Sequence, residues 1–282
     1  MSADLHCHTR LSDGSMGIED LIALAKKRGV DTLSITDHDC LVACRRAKVI
    51  GDRVGVEVLH GVELSACDEK TGRPVHILGY MCDNPDSLEG LCHQNTALAA
   101  KAGNYMIVGA SKKYPVTKDL IRRCAQGSNH VCKQHVMQAL IESGVTDSFY
   151  SDVYATLFSP DSPDCVLPKI TYPDVKAVTT AVHDAQGVAI LAHPALYDSF
   201  GLLENYGEYG FDGVEVWHPT ADAETTARLE SFAREHDLLM TGGSDFHGMY
   251  SRSLISPGDY TTPEQELEKL YAFKAKQRKN AK

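Results

Sequence analysis

The segment Asp4-Leu5-His6-Cys7-His8 opens the chain with a short strand-like run that ends in two histidines. A similar arrangement, an apolar run followed by histidine or carboxylate, recurs three times along the 282 residues. The recurrences are Thr36-Asp37-His38-Asp39, His193-Pro194 and Ser244-Asp245-Phe246-His247. A parallel α/β barrel gathers the carboxyl ends of its strands on one face, and its catalytic residues lie there. The pattern therefore predicts that four distant clusters converge on one site.

Apolar runs typical of strands alternate with helical patterns through most of the chain. The predicted strands are residues 4–6, 31–36, 54–64, 75–80, 188–192, 213–217 and 238–241. The helical patterns that separate or follow them cover residues 17–28, 41–50, 175–186, 221–235 and 263–274. Apolar strands separated by helices indicate a parallel sheet with both faces covered. The predicted fold class is therefore α/β, and residues 274–282 are expected to form a frayed, solvated tail.

The alternation stops between residues 82 and 165, where helical patterns dominate. Four helices are predicted there, over residues 88–113, 118–124, 131–143 and 148–157. The stretch Ser159-Pro160-Asp161-Ser162-Pro163-Asp164 follows them as a linker. We interpret residues 82–165 as a helical insertion over the mouth of the barrel. The barrel domain would then consist of residues 1–81 and 166–282.

The composition limits the partners that the protein can have. A chain of 282 residues, 43% of them hydrophobic, is long enough to bury one large core. A net charge of −10 and a pI of about 5.7 predict no general attraction to nucleic acid or to anionic membranes. No apolar run approaches the ~20 residues of a membrane span. An anionic substrate would therefore need bound metals and a few local cations, and the oligomeric state is left open.

The N-terminus and the cysteines favour a cytoplasmic protein. Residues 1–4 lack the basic region and the apolar core of a signal peptide. The nine cysteines are odd in number and scattered, which is unlike a disulfide framework. We expect reduced thiols, with Cys7 packed on the face of its strand opposite to His6 and His8.

The side chains of the four clusters are typical ligands of divalent metals. Alternate residues of a strand share a face, so His6 and His8 should point into one pocket, and so should Asp245 and His247. A single His-x-His pair is weak evidence for a metal. Four clusters at the ends of strands in one barrel are stronger evidence, because stability alone does not concentrate imidazoles there.

Glu63 and His76 lie in two further apolar runs, and Asp13 lies in the loop after the first strand. A glutamate in a valine-rich strand is costly to bury unless it binds a cation. Taken singly, a salt bridge at the rim for Glu63 and a satisfied core histidine for His76 are the simpler interpretations.

Together these motifs carry a resemblance to a known family. The chain resembles the PHP family (polymerase and histidinol phosphatase) of the amidohydrolase-like metal phosphoesterases over nearly its whole length. The resemblance implies a distorted (β/α)7 barrel with a helical insertion. It also implies two or three divalent metal ions, with manganese expected and iron, zinc or magnesium as alternatives. The matching motifs are His6-Cys7-His8 with Asp13, Thr36-Asp37-His38-Asp39, Gly61-Val62-Glu63, His76, His193-Pro194 and Ser244-Asp245-Phe246-His247.

The resemblance further implies nine metal ligands in three sets, all of which this sequence contains. The sets are His6, His8 and Asp245 for one metal, Glu63 as a bridge to a second metal held by His76 and His193, and Asp13, His38 and His247 for a third.

Such a centre suits the hydrolysis of phosphate esters. Adjacent metals acidify a water and neutralise charge on the phosphoryl oxygens, which predicts in-line attack at phosphorus. The leaving alkoxide needs a proton donor or a metal. His218, at the end of another predicted strand, is a candidate donor or phosphate contact, and a surface histidine is the simpler alternative. Asp37 is the second candidate catalytic residue.

Three positions depart from the basic residues with which relatives that carry this insertion bind a second phosphate. Leu196 stands where arginine is common, Lys133 with His135 replaces an arginine-x-histidine pattern, and residues 161–164 replace a Gly-Lys-Pro stretch. Leucine cannot make the bidentate phosphate contacts of arginine. For the cations, ordinary surface charge remains the alternative role. The candidate phosphate-binding residues are Lys133, His135, Lys169, Arg252 and His218.

The expected protein is a metal-dependent phosphoric ester hydrolase that acts on a small sugar or nucleotide phosphate. A compact cyclic phosphodiester of a sugar, opened and then dephosphorylated, fits a pocket rich in metal and poor in arginine. One alternative is a 3′,5′-nucleotide bisphosphate phosphatase or a 5′-3′ exoribonuclease, and the latter predicts a basic, aromatic-lined groove. The other is a metal-bearing accessory domain without turnover, which the complete ligand motifs count against.

Overall fold

The computed structural model describes residues 2–280, and seven strands lie among them. The seven strands agree with the predicted ones to within a few residues at each end. They are β1 (Ala3–Cys7), β2 (Thr32–Ile35), β3 (Glu57–Cys67), β4 (Pro74–Tyr80), β5 (Val188–Leu191), β6 (Gly213–Trp217) and β7 (Leu239–Gly242).

Eleven α-helices surround these strands within residues 2–280. They are α1 (Ile18–Lys27), α2 (Ala43–Val54), α3 (Glu89–Lys113), α4 (Lys118–Cys124), α5 (Lys133–Glu142), α6 (Asp152–Phe158), α7 (Val175–Asp184), α8 (Phe200–Glu204), α9 (Tyr206–Tyr209), α10 (Ala223–Glu235) and α11 (Glu264–Asn280). Sequence periodicity does not predict α8 and α9, because helices of five and four residues are too short to show a helical repeat.

The strands form one sheet in the order β1 to β7, and the sheet curls into a nearly closed barrel. At the seam, His8 N donates to Phe246 O at 2.9 Å, just beyond the ends of β1 and β7. The pairs β1–β2, β2–β3, β5–β6 and β6–β7 are parallel. The predicted barrel is therefore confirmed, with seven strands and flanking helices.

The expectation of an all-parallel sheet is wrong for β4, which runs antiparallel to both of its neighbours. Residues 68–73 connect β3 to β4 as a hairpin, and a parallel connection would have needed a crossover of a dozen or more residues. The reversal brings the first residues of β4 to the barrel end where the parallel strands finish. His76 therefore reaches the site from near the start of its strand.

Buried apolar side chains pack the helices against the barrel strands in separate clusters. Leu267 and Leu270 of α11 pack with Leu5, Leu78 and Ile190 in one buried cluster. A second cluster packs α1 and α2 against β1 to β3, and it includes Cys7, as predicted. All nine cysteines are free thiols within the described residues.

Residues 82–165, all of which are described, contain helices and no strand, as predicted. Their apolar side chains form a separate cluster that includes Ile121, Val136 and Leu140. Buried Asn95 of α3 ties this region to the barrel, since its Nδ2 donates to Asp39 Oδ1 and to a β3 carbonyl, both at 2.8 Å. The helical region thus has its own core and a polar attachment next to the His38 loop.

The expectation of a frayed tail is wrong for residues 274–280, because α11 continues to Asn280. Lys274 is only 1% exposed, and its Nζ lies 2.8 Å from Asp83 Oδ2. Arg278 Nη2 donates to Asp83 Oδ1 at 2.6 Å. The Asp83 carboxylate, in the loop that follows β4, therefore pairs with two cations of α11. The last two residues of the predicted tail lie outside the described residues.

Replacing Asp83 with asparagine is expected to destabilise the fold by about 2–3 kcal/mol, because the buried Lys274 ammonium loses its carboxylate partner. Hydrogen bonds from Arg278 and Lys274 lower the pKa of Asp83 to about 2. A lowered pKa in the folded state means that the stabilisation is present above the ordinary carboxyl pKa and is lost as the pH falls towards about 2. Urea unfolding at neutral pH should show the full difference in the free energy of unfolding between Asp83→Asn and the wild type.

The matched control for this prediction is Asp161→Asn at an exposed aspartate, which should leave the urea midpoint unchanged. The difference in the free energy of unfolding between wild type and Asp83→Asn should shrink as the pH falls from about 4 to about 2.5. A difference that stays constant over this range would show that the Asp83 charge is not its source.

Candidate metal centre

Glu63 lies at the centre of the site and is 1% exposed, so it does not form the rim salt bridge of the simpler interpretation. Five imidazoles surround its carboxylate. Oε2 lies 3.1 Å from His6 Nε2, 3.1 Å from His8 Nε2 and 3.4 Å from His38 Nδ1, and Oε1 lies 2.7 Å from His76 Nδ1 and 2.9 Å from His193 Nε2.

The nine predicted ligands come together in overlapping groups at this end of the barrel. Within each group the potential ligand atoms lie within 4.8 Å of one another. His193 joins the groups through its contact with Glu63. The groups are His6, His8, Glu63 and Asp245, then His38, Glu63 and His76, and finally His8, Asp13, His38 and His247.

Several imidazole nitrogens face carboxylate oxygens without forming hydrogen bonds. The buried atoms His8 Nε2 and His76 Nδ1 have no hydrogen-bond partner within residues 2–280. Yet His76 Nδ1 lies 2.7 Å from Glu63 Oε1, and His8 Nε2 lies 3.2 Å from Asp245 Oδ1. Buried polar atoms normally find partners, so lone pairs that converge in this way fit a shared cation. Imidazole nitrogens with carboxylate oxygens are a donor set that divalent first-row metals accept.

The charges of the site fit the same interpretation. Burial alone would raise the pKa of Glu63, but the imidazoles of His38 and His76 hold it well below its usual range. Burial lowers the pKa of His38 to about 3, against the pull of the Glu63 and Asp13 carboxylates. Burial also acts to lower the pKa of His8, yet Asp245 and Glu63 raise it to about 10. A metal bound at His8 would therefore displace a proton.

Glu215 belongs to the site, although none of the sequence motifs includes it. It is buried in β6, and its Oε1 lies 2.9 Å from His6 Nδ1. Its Oε2 accepts a hydrogen bond from His193 N at 2.9 Å. The contact with His6 turns that ring so that Nε2 faces Glu63, as carboxylates behind metal-binding histidines do. The available signal was a glutamate inside an apolar strand, which is as costly to bury as Glu63.

His218 is 2% exposed, so it is not the surface histidine of the simpler interpretation. Thr220 N donates a hydrogen bond to His218 Nδ1 at 3.1 Å. Because a backbone N–H only donates, neutral His218 carries its proton on Nε2. That Nε2 lies 3.3 Å from Asp245 Oδ2. The geometry thus provides an N–H donor beside the ligand cluster.

Asp37 does not lie where a group that contacts substrate would lie. Its Oδ1 accepts hydrogen bonds from Thr9 N and Ser12 Oγ, and its Oδ2 accepts one from Thr9 Oγ1, each at 2.7 Å. The buried carboxylate is therefore occupied by the loop that leads to Asp13. Its geometry corrects the expectation of a catalytic role, because it holds this loop in place instead of facing the cavity.

A cavity of about 580 Å³ opens onto the ligand cluster, between the barrel and the helical region. Among the described residues that line it, Lys133 is the only lysine and Arg252 is the only arginine. Leu196 also lines it and is 43% exposed. The wall contains five tyrosines as well, and the Arg252 guanidinium lies 5.1 Å from the ring centre of one of them, Tyr150.

Two of the predicted phosphate-binding residues do not line this cavity. Lys169 is exposed to solvent outside it. His135 is buried, and its Nδ1 accepts a hydrogen bond from Cys132 N at 3.2 Å, which caps α5. Burial lowers the pKa of His135 to about 4, so its ring is neutral and offers little attraction to an anion. His218, Lys133 and Arg252 remain as phosphate-binding candidates.

Comparisons with known proteins give consistent similarities. A family profile described as PHP domain matches residues 4–149. The chain is 34% identical to phosphoribosyl 1,2-cyclic phosphate 1,2-diphosphodiesterase of Eggerthella lenta, over 89% of this chain and 96% of the relative. It is 29% identical to the 5′-3′ exoribonuclease of Haemophilus influenzae, over 86% of this chain and 89% of the relative.

A solved structure from Bifidobacterium adolescentis, described as a metal-dependent phosphoesterase, superposes with a TM-score of 0.85. It is 29% identical in sequence, and the match covers 95% of each chain. Within residues 2–280 there is no helix with both the length and the apolar character needed to cross a membrane.

Proposed function

The chain belongs to the PHP domain family, and we propose that it opens a cyclic phosphate of a small sugar and then releases inorganic phosphate. The coarser activity is that of a metal-dependent phosphoesterase, in line with its relatives. The relative with 34% identity is named for a phosphoribosyl cyclic phosphate, which supports the finer proposal.

One observation carries the proposed substrate: the cavity is rich in metal ligands and poor in cations. Of the described residues that line its wall, only Lys133 and Arg252 are lysine or arginine, and apolar Leu196 lies where the family resemblance leads us to expect an arginine. A substrate with two separate phosphates would find a single arginine, Arg252, for bidentate contacts to the phosphate that lies away from the ligand groups. A cyclic ester has a single phosphate, which metals held by the three ligand groups would be enough to bind.

We propose that divalent metals, manganese by preference, bind to the three ligand groups. The ligands would be His6, His8, Asp13, His38, Glu63, His76, His193, Asp245 and His247. Metals bound there would lower the pKa of a water and neutralise charge on the phosphoryl oxygens. Glu215 would keep His6 Nε2 directed at this centre.

His218 is the proposed proton donor of the reaction. Water adds its oxygen to phosphorus, and the bond from phosphorus to the sugar oxygen breaks. The departing sugar oxygen takes the proton held on His218 Nε2, which the hydrogen bond from Thr220 N keeps in that position. The proton that the attacking water releases replaces the Nε2 proton as it leaves, so that His218 stays neutral throughout. A second hydrolysis of the same kind would free the phosphate.

We also propose that residues 82–165 act as a cap over the centre. Met106, Tyr150 and Tyr154 from these helices line the same cavity as the ligands of the barrel. A cap would exclude bulk water and limit the size of the substrate. The nine free thiols support work in the reducing cytoplasm.

The test is turnover of the manganese-loaded protein on a five-carbon sugar cyclic phosphate, a 3′,5′-bisphosphate nucleotide and a short 5′-phosphorylated RNA. The sugar ester is expected to have the highest kcat/KM. In oxygen-18 water the label should appear in the released phosphate and not in the sugar, because attack occurs at phosphorus. Label in the sugar would contradict the proposed bond cleavage.

Exoribonuclease activity is the second candidate, because five tyrosines line the cavity and bases stack well on aromatic rings. They are Tyr150, Tyr154, Tyr172, Tyr197 and Tyr250. The basic groove that the activity also predicts is limited to Lys133 and Arg252. A preference for RNA in the same experiment would make these two cations sufficient and overturn the sugar phosphate proposal.

A further inference from the structure

A loop of the helical region, residues 127–131, is hydrogen-bonded to two of the barrel loops that carry proposed ligands, the loop of Asp13 and the loop of His38. Ser128 Oγ donates a hydrogen bond to the backbone oxygen of Ser12, the residue before the proposed ligand Asp13. Asn129 Nδ2 donates to the backbone oxygen of His38 at 3.1 Å. The position of this loop is therefore fixed relative to the metal centre.

The bond to His38 also fixes the amide of Asn129, because a carbonyl oxygen accepts and cannot donate. The other amide atom, Oδ1, then faces His130, whose Nδ1 lies 2.6 Å away. Since an amide oxygen only accepts, His130 Nδ1 must carry a proton. Neutral His130 therefore has a bare Nε2 with a free lone pair.

His130 lines the cavity together with Asp13 and His247. The ring is half-buried, and its Nε2 has no hydrogen bond to another of residues 2–280. Burial lowers the pKa of His130, which keeps the ring neutral at pH 7. The phosphoryl oxygens of an ionised phosphate ester are acceptors, so they cannot pair with a bare nitrogen. A hydroxyl group of the substrate can.

We propose that His130 Nε2 accepts a hydrogen bond from a free hydroxyl of the substrate, so that His130 selects sugar esters over esters without a hydroxyl. The inference rests on the proposed function and adds a specificity-determining contact to it. Two histidines would then have complementary roles. His218 offers an N–H to the oxygen that leaves phosphorus, and His130 offers a lone pair to a hydroxyl that is not esterified.

The test uses two cyclic phosphates, one of a five-carbon sugar with free hydroxyls and one of 1,2-propanediol with none. His130→Phe keeps the ring but removes both nitrogens. It is expected to lower kcat/KM for the sugar ester by about 10–100-fold and to change that for the propanediol ester by less than about threefold. His130→Gln retains an acceptor and should recover part of the loss. Metal content and Tm should stay at wild-type values.

The matched control is His93→Phe at an exposed histidine of α3, which should alter neither ester. Should His130→Phe not fold, His130→Ala tests the same prediction with less bulk in the loop. Equal losses on both esters, or no loss on the sugar ester, would overturn the hydroxyl contact and leave the phosphoesterase activity intact. A wild-type protein that hydrolyses only the propanediol ester would instead show that the proposed substrate is wrong, and the contact would be overturned with it.

Discussion

Glu63→Gln is expected to lower kcat/KM on every phosphate ester by at least about 1000-fold, which corresponds to about 4 kcal/mol of transition-state stabilisation. Glutamine has nearly the shape of glutamate but lacks its charge. Glu63 is the residue at which five imidazoles meet, and it is shared by two of the three ligand groups. Metal content per chain, measured by elemental analysis after dialysis, should fall in parallel with activity.

The matched control is Glu235→Gln on α10, an exposed glutamate at which both activity and metal content should stay at wild-type values. Circular dichroism of Glu63→Gln should remain that of a folded protein, since the barrel core does not depend on this charge. Full metal content together with activity within about tenfold of wild type would show that Glu63 is not a ligand.

The convergence of the clusters could be predicted because strand ends in a barrel are neighbours whatever their separation in sequence. His6, His38 and Asp245 follow this rule, and so does His218 after β6. His76 follows it only through the reversal of β4, which depends on a short hairpin that the alternation of strands and helices elsewhere obscures. A barrel can therefore be predicted from its repeating pattern, while an exception to the pattern needs the coordinates.

The residues that support the ligands could not be predicted in the same way. Glu215 of β6 contacts His6 of β1, and these strands are far apart in sequence. No local sequence pattern indicates that the two residues meet. His193 and Asp245 adopt positive φ angles of 24° and 49°, which sequence does not indicate for residues other than glycine. Substrate contacts are harder still to predict. Both Lys169 and His135 have suitable chemistry, and only their positions exclude them from the cavity wall.

His218→Asn is expected to lower kcat on sugar phosphate esters by about 100-fold or more and to change kcat on 4-nitrophenyl phosphate by less than about threefold. A sugar alkoxide is a poor leaving group that needs a proton as its bond to phosphorus breaks. Nitrophenolate is a stable anion and leaves without one. The hydrogen bond from Thr220 N keeps the proton of His218 on Nε2, and asparagine has no group that can transfer a proton from that place.

His218→Gln separates proton transfer from simple hydrogen bonding, because its amide keeps an N–H at a similar reach but does not titrate. Sugar esters should stay slow in this variant if His218 transfers a proton, and they should recover if His218 only binds a phosphoryl oxygen. Equal losses of both esters in His218→Asn would contradict the donor role. Such losses would indicate a phosphate contact or a disturbed metal centre, since either slows every ester. The ratio of kcat on the sugar ester to kcat on 4-nitrophenyl phosphate therefore reports on the proton of Nε2. A change in metal binding near Asp245 would slow both esters and leave this ratio unchanged.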